Sequence, residues 1–363
     1  MDESQTLILD MQRRFLADWR NGCSHVPDPD EAARFWQAAG ELGLLGALAP
    51  EAAGGLDEAP DFAFEFFRQW GEVAAPGPLH TTLVAGTLLL HGTALEPLLA
   101  GIAEGTVRLT VPTGNSAPGT YPPPADAGAD GAGLALLPRI EVLRDAPFAT
   151  HVILPATLGG EPALLCVGPE HLAFGAPFQL LDGAPAATLH SASLDPAVAT
   201  VLHRGDEARA AWLAATDRMA AAAACETVGL LRAMLDMTVA YARERKQFGQ
   251  AVGSFQVVQH RLADMLVEVE QAHSIALAAL RQPDAGVLVS AAKARVARAV
   301  QFVGDNAVQL HGGIGTTQEL ALSRFFRRAN VLAREFGLAA AHLPRVEAAI
   351  ASRLHSPAGT ASC

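Results

Sequence analysis

The strongest constraint on the fold is a set of three long apolar stripes in the last third of the chain. Val228, Leu231, Leu235, Thr238 and Ala242 step by three and four residues. So do Val258, Leu262, Met265, Val269, Ala272, Ala276 and Ala279, and then Val296, Val300, Val303, Ala307 and Leu310. Successive stripes of this period, joined by short breaks, predict antiparallel helices in a bundle. A fourth helix is expected over Gln318–Arg334. Composition agrees: half the residues are hydrophobic but only 6% are aromatic. Alanine therefore carries much of the apolar share, which favours closely packed helices over a β-sandwich.

The remaining chain divides in two. Residues 1–105 carry helical spacing at Thr6–Trp19, Pro29–Leu44, Phe62–Trp70, Pro78–His91 and Leu95–Ile102, interrupted by the loop Pro50-Glu-Ala-Ala-Gly-Gly-Leu56. Residues 106–205 change to short β-like runs at Val107–Val111, Leu134–Leu137, Ile140–Leu143, Val152–Leu154, Ala163–Val167 and Val198–Leu202. The proline-rich stretch Asn115–Gly133 reads as an irregular loop. The expectation is an α+β chain: an N-terminal all-α domain (1–105), a middle small β-barrel domain (106–205), a C-terminal four-helix bundle (206–355) and a disordered tail (356–363). A length of 363 residues suits two or three domains at roughly 150 residues each.

Charge and cysteine usage narrow the function. The balance is 26 − 38 = −12, which disfavours nucleic acid and anionic membrane as partners. Cys23, Cys166, Cys225 and Cys363 lie far apart without a CxxC step, which fits a reducing cytosol better than a disulfide framework or zinc site. The acidic start, Met1-Asp-Glu-Ser-Gln, does not read as a signal peptide, and Val73–Leu95 is too interrupted for a membrane span. A cytoplasmic location is expected. Glu270-Gln-Ala-His273 is a lone Glu-x-x-His step, so no metal is expected. No GxSxG nucleophile elbow occurs.

Two segments carry candidate chemistry. Arg243-Glu-Arg-Lys-Gln-Phe-Gly249, followed by Phe255-Gln256, places always-charged guanidinium forks beside a turn, either as a helix cap or as a diphosphate site. Gln309-Leu-His-Gly-Gly-Ile-Gly-Thr-Thr317 runs a helix into three glycines. The backbone N–H groups there can face a phosphate, or the segment is simply a helix–helix turn.

Together these segments become specific. Tyr241-Ala-Arg-Glu-Arg-Lys-Gln-Phe-Gly249, Phe255-Gln256, Ala263-Asp-Met265 and Val308-Gln-Leu-His-Gly-Gly-Ile-Gly315 resemble the acyl-CoA dehydrogenase family in order and spacing. Pro50–Leu56 and Leu109-Thr-Val-Pro-Thr-Gly-Asn-Ser116 resemble further family segments, so the likeness spans roughly residues 5–350. The resemblance implies FAD as cofactor and oxidation of an acyl-CoA to a 2-enoyl-CoA. A carboxylate would take the α-proton, and electrons would pass to electron-transfer flavoprotein or a similar acceptor. It implies that Arg245, Phe248 and Gln256 contact FAD, with Gln256 serving a partner subunit's flavin. Gln309, His311, Gly312 and Gly313 would hold the adenine and diphosphate, again across an interface. Thr110 and Ser116 would lie along flavin and acyl-CoA.

The departures fall on the catalytic base. By family spacing the glutamate is due at Met219 or at Phe336, and neither is acidic. Asp217, Glu226 and Glu335 are the nearest acids, with Glu226 two helical turns from Met219, about 10 Å along the axis. Glu226 is the first candidate base and Glu335 the second. The ending, Phe325-Phe-Arg-Arg-Ala329 through His342-Leu343, resembles the short subunits of paired acyl-CoA dehydrogenases. The expected activity is therefore acyl-CoA dehydrogenation, in a homo-oligomer or in a hetero-oligomer with another chain of the family. The alternatives are a non-catalytic subunit completing a partner's site, and a flavin monooxygenase on the same fold.

Overall fold

The computed structural model describes residues 2–22, 27–50, 55–56, 59–113, 118–122, 135–137, 139–190, 192–282 and 284–355. The expected tail, 356–363, lies outside them, as does most of Asn115–Gly133.

The N-terminal helices are α1 (Glu3–Gly22), α2 (Pro29–Glu41), α3 (Pro60–Gly71), α4 (Thr87–Leu90) and α5 (Leu98–Ala103). Their ends follow local chemistry. Proline opens both α2 and α3, where a missing N–H costs nothing. Asp28 and Glu31 form a reciprocal capping box on α2. A π-helical stretch, His80–Gly86, leads into α4 with all its residues buried.

The middle strands are β1 (Leu109–Thr110), β2 (Ala135–Leu137), β3 (Ile140–Arg144), β4 (His151–Leu158), β5 (Glu161–Val167), β6 (Phe178–Gln179), β7 (Pro185–Leu189), β8 (Ala192–Leu194) and β9 (Ala199–Arg204). One sheet runs β8-β2-β4-β5-β9, with β1 parallel to the start of β4, and a second runs β3-β7-β6. The expected barrel does not close: the two sheets stay separate among the described residues. They share a core of Leu143, Leu154, Leu165 and Leu189, so inward side chains fill the space and no lumen forms. The β7 strand, whose residues Pro-Ala-Ala-Thr-Leu have little β character, was missed in the sequence pattern.

The C-terminal helices are α6 (Gly205–Glu244), α7 (Gln256–Arg281), α8 (Gly286–His311), α9 (Leu322–Leu332) and α10 (Ala339–His355), with a two-strand hairpin β10 (Lys246–Gln247) and β11 (Gln250–Ala251) between α6 and α7. The fourth predicted helix is shorter than expected, and α10 was not anticipated. Forty residues make α6 about 60 Å long. Its alanine run, Ala220–Ala224, is buried. At the crossing of α3 and α6, a Cβ on Gly71 would strike the Glu226 carbonyl, and one on Gly229 the Arg68 carbonyl. Small residues thus set the spacing of the two layers. Gly229→Ala should cost about 1–3 kcal/mol as an overpacked site, read by urea unfolding; no loss would show that the helices have room.

One continuous core joins the N-terminal helices to the bundle, from Phe66 and Trp70 to Leu231, Val269, Val300 and Phe325. Among the described residues no helix is long and apolar enough to cross a membrane, and no group of three or more His, Cys, Asp or Glu is placed to hold a metal.

Candidate functional site

The two glycine-and-arginine segments meet at one end of the bundle. Arg245 caps α6 in an extended conformation, its N–H bonded to the Tyr241 carbonyl at 2.8 Å. The hairpin turns at Phe248 and Gly249, both with positive φ (51° and 81°), the geometry of a tight two-residue turn. This leaves Phe248 92% exposed. Beside it a groove of about 420 Å³ is lined by Gln247, Phe248, Phe255, Arg261, Gln309 and Leu310. Tyr241 ties the segments together: its hydroxyl donates to the His311 carbonyl at 3.2 Å, and the two rings lie 4.5 Å apart.

Phe248 and Gln309 thus line one groove, and Arg245, Gly312 and Gly313 are exposed in the two segments that the Tyr241–His311 contact joins. Gly312 adopts φ 65°, ψ −143°, a conformation open to glycine, and open space lies beside Gly312 and Gly313. Gln256 is exposed at the start of α7, next to the groove residues Val257 and Val258. His311 turns the other way. It is buried, with Nδ1 2.8 Å from the Ala307 carbonyl, and holds the segment from inside.

The second half of the expected site differs. Thr110 is fully buried and its hydroxyl donates to the Arg144 carbonyl at 2.6 Å. Ser116 lies outside the described residues. Met219 is buried, and Phe336 occupies the late base position with φ 60°. The Phe336 N–H donates to the Thr113 carbonyl at 2.6 Å, and its carbonyl lies 2.9 Å from His342 Nε2. His342 Nδ1 is 3.1 Å from Ser290 Oγ. The cavity between Thr113, Pro118, Trp212, Asp217 and Phe336 measures about 30 Å³, room for about one water.

Each of the three nearby carboxylates is held by an arginine. Glu226 is 1% exposed and takes two hydrogen bonds from Arg328, at 2.8 and 3.1 Å. His80 Nε2 stands 3.1 Å from its other side. Glu335 accepts from Arg144 at 3.2 Å. Asp217 takes a two-pronged contact from Arg345, both distances 2.9 Å. Asp182 bridges Arg144 (2.8 Å) and Arg328 (2.9 Å), so one buried ion network links the N-terminal helices, the sheets and the bundle.

Burial alone would raise the Glu226 carboxyl, but the Arg328 charge and the His80 contact outweigh it and hold it at about 2. Such a group is a weak proton acceptor near neutral pH. Asp182 lies well below the carboxylate range: burial opposes ionisation, and the two arginines overcome it. Asp145 goes the other way, pushed up to about 6 by burial against the pull of Arg144. Burial also lowers His342 to about 4 and Lys293 to about 8.

These shifts fix the acid response. His342 is neutral in the fold, so its contribution is full above its ordinary value of 6.5 and is lost as pH falls toward 4. Glu226 acts lower, losing its contribution from 4.5 down to about 2. Asp145 has the opposite sign, favouring the fold below 3.8 and losing that as pH rises to 6. His342→Gln should therefore flatten the stability loss between pH 6.5 and 4, measured by urea unfolding at pH 7, 5.5 and 4.5. An unchanged acid limb would remove His342 from the account.

Sequence reasoning missed His80, Arg144, Asp182 and the role of Arg328. One signal was present: Arg324 and Arg328 sit beside the buried stripe Leu322, Phe325, Ala329 and Leu332 of α9, where a charge needs a partner.

A family profile described as "Acyl-CoA dehydrogenase, C-terminal domain" matches residues 210–350. The chain is 37% identical over 165 residues to the acyl-CoA dehydrogenase IpdE2 of Mycolicibacterium smegmatis, a match covering 45% of this chain and 50% of that protein. It therefore spans about half the length of that relative. A solved variant of the Tcur3481-Tcur3483 steroid ACAD superposes with a TM-score of 0.83 at 28% identity, covering 98% of this chain and 99% of the other. The chain is similar to acyl-CoA dehydrogenases over nearly its whole length, and its residues 210–350 match the C-terminal domain of that family. That family is one of flavoprotein oxidoreductases of acyl-CoA catabolism, with FAD as cofactor. The fold alone is shared with the ChsE4-ChsE5 complex from Mycobacterium tuberculosis, at TM-score 0.80, 23% identity and 99% coverage of both chains.

The residues of this chain fit FAD unevenly. The exposed Arg245 and Gln309 side chains can donate to a diphosphate, and Gly312 and Gly313 leave open space for it, the Gly312 N–H being already given to the Gln309 carbonyl. Thr110, which the family resemblance puts along flavin and acyl-CoA, has its hydroxyl already used on the Arg144 carbonyl, and the nearby cavity beside Thr113 and Phe336 offers only about 30 Å³.

Proposed function

We propose that this chain is the accessory subunit of a hetero-oligomeric acyl-CoA dehydrogenase. It lends its exposed arginine, glutamine and glycine face to the diphosphate end of an FAD whose ring is seated in a longer partner chain. The observation that carries this reading is the state of the acids in its own cleft. Asp217, Glu226 and Glu335 are each engaged by a guanidinium, and Phe336 and Met219 stand where a base is due. In this reading the partner supplies the α-proton base, the assembly's substrate is an acyl-CoA, and electron-transfer flavoprotein or a similar acceptor takes the electrons.

The residues proposed for FAD contact are Arg245, Phe248, Gln256, Gln309, Gly312 and Gly313. His311 is a positioning residue, held by Ala307 and Tyr241. Thr110 serves the sheet, with its hydroxyl on Arg144. The exposed apolar residues Phe248, Val257 and Ile314 fit a face that another subunit covers. The IpdE2 relative supports the family, and the two-chain Tcur3481-Tcur3483 steroid ACAD and ChsE4-ChsE5 complex support the idea of paired chains.

The test is co-expression with a longer, glutamate-bearing relative encoded nearby. The reading expects a stable mixed oligomer that retains bound flavin, while this chain alone loses FAD on gel filtration. A chain that purifies alone with stoichiometric flavin would overturn it.

A further inference from the structure

A second cavity, of about 410 Å³, opens on the other side of the ion network. Its walls are the start of α2 (Pro27, Pro29, Ala32), the turn Ala74–Gly77, the segment Pro147–Phe148 and the β6–β7 region (Pro177, Phe178, Ala184, Pro185). It falls within the size class of small-molecule sites, whose linings are mostly apolar with a few placed polar groups. None of the residues given to FAD or to the missing base lines it.

The charged groups on its surface are Arg144, Arg324 and Arg328 with Asp28, Asp145 and Asp182, and Gln179 adds an amide. No arginine charge is left in excess there, because Glu226 on Arg328 and Glu335 on Arg144 add to the acids of the wall from behind it. Arg144 pairs with Asp182 at 2.8 Å and Asp145 at 3.3 Å, and Arg328 with Asp182 at 2.9 Å. Arg324 gives one N–H to the Val73 carbonyl at 2.8 Å. An anion entering this cavity would lose its hydration without meeting an excess of positive charge, and a cation would meet Asp145 and Asp182 already engaged by arginine. An uncharged oxygen loses far less, and guanidinium N–H groups can donate to it.

We propose that this cavity binds an uncharged, mainly apolar molecule carrying a hydroxyl or carbonyl oxygen, at a site separate from the acyl-CoA cleft. The apolar body packs between Phe148, Phe178 and the proline rings, and the oxygen points to the arginine side. The site is independent of the subunit role proposed above, because it uses no residue of the cofactor face.

The experiment is calorimetric titration of the full chain with 2-naphthol, 2-naphthoate and 2-naphthylmethylammonium, three probes of similar shape and different charge. The neutral probe should bind saturably and at least tenfold more tightly than either ion. Ala32→Trp and Ala184→Trp, each filling the cavity from its rim, should weaken it at least tenfold without lowering the melting temperature. If one of them fails to fold, the other gives the same reading. Excess octanoyl-CoA should not displace the probe. Absence of binding, tighter binding of an ion, indifference to the folded tryptophan variants, or displacement by octanoyl-CoA would each overturn the proposal. Displacement would identify the cavity as an extension of the acyl cleft.

Discussion

Arg328→Met should lower the stability of the chain by about 3–5 kcal/mol, because it leaves Glu226 buried without its bidentate partner. Surface ion pairs rarely matter this much, but here both side chains are nearly inaccessible, at 6% and 1% exposure. The double variant Glu226→Leu with Arg328→Met should regain part of the loss, since a buried pair can be replaced by apolar groups at little cost. Denaturant unfolding of the two single variants and the double gives the coupling directly. A loss below about 1 kcal/mol for Arg328→Met would mean the network is not structural. Glu226→Gln separates structure from catalysis in the mixed oligomer. A structural Glu226 predicts reduced stability with turnover per folded complex retained within about threefold, whereas a catalytic base would lose orders of magnitude.

The second large effect concerns the proposed cofactor face. Arg245→Gln should weaken FAD retention by the assembled enzyme by about 10- to 100-fold, the scale of one charge-assisted contact. The secondary structure should not change, because Arg245 is exposed and its capping bond uses the backbone. Gel filtration followed by the visible flavin spectrum reads the result. Retention equal to wild type would place the diphosphate elsewhere.

Much of this was legible in the sequence because it rests on local rules. The stripes on α6, α7 and α8 follow helical period, and the Phe248–Gly249 turn follows from glycine beside a polar hairpin. Proline and glycine punctuation marks the change from helices to strands. The α10 helix was harder to see, because Leu343, Ile350 and Leu354 are exposed and so leave no buried stripe to count. The sheets were under-read where alanine fills β7.

The ion network was hidden for a different reason. Arg144, Asp182, Glu226, Arg328 and Glu335 are spread over 192 positions, and only tertiary packing brings them within about 3 Å of one another. Sequence spacing showed that the base positions hold Met219 and Phe336. It did not show that the neighbouring acids are tied down, which is what separates a displaced base from no available base.

The most direct test is anaerobic titration with a panel of acyl-CoAs, following bleaching of the flavin absorbance. This chain, supplied with equimolar FAD that is left in the cuvette, should show no acyl-CoA-dependent bleaching, while the co-purified oligomer with its longer partner should bleach fully. Stoichiometric bleaching by this chain alone would contradict the account, because it would require a proton acceptor in a cleft where Asp217, Glu226 and Glu335 are all held by arginine.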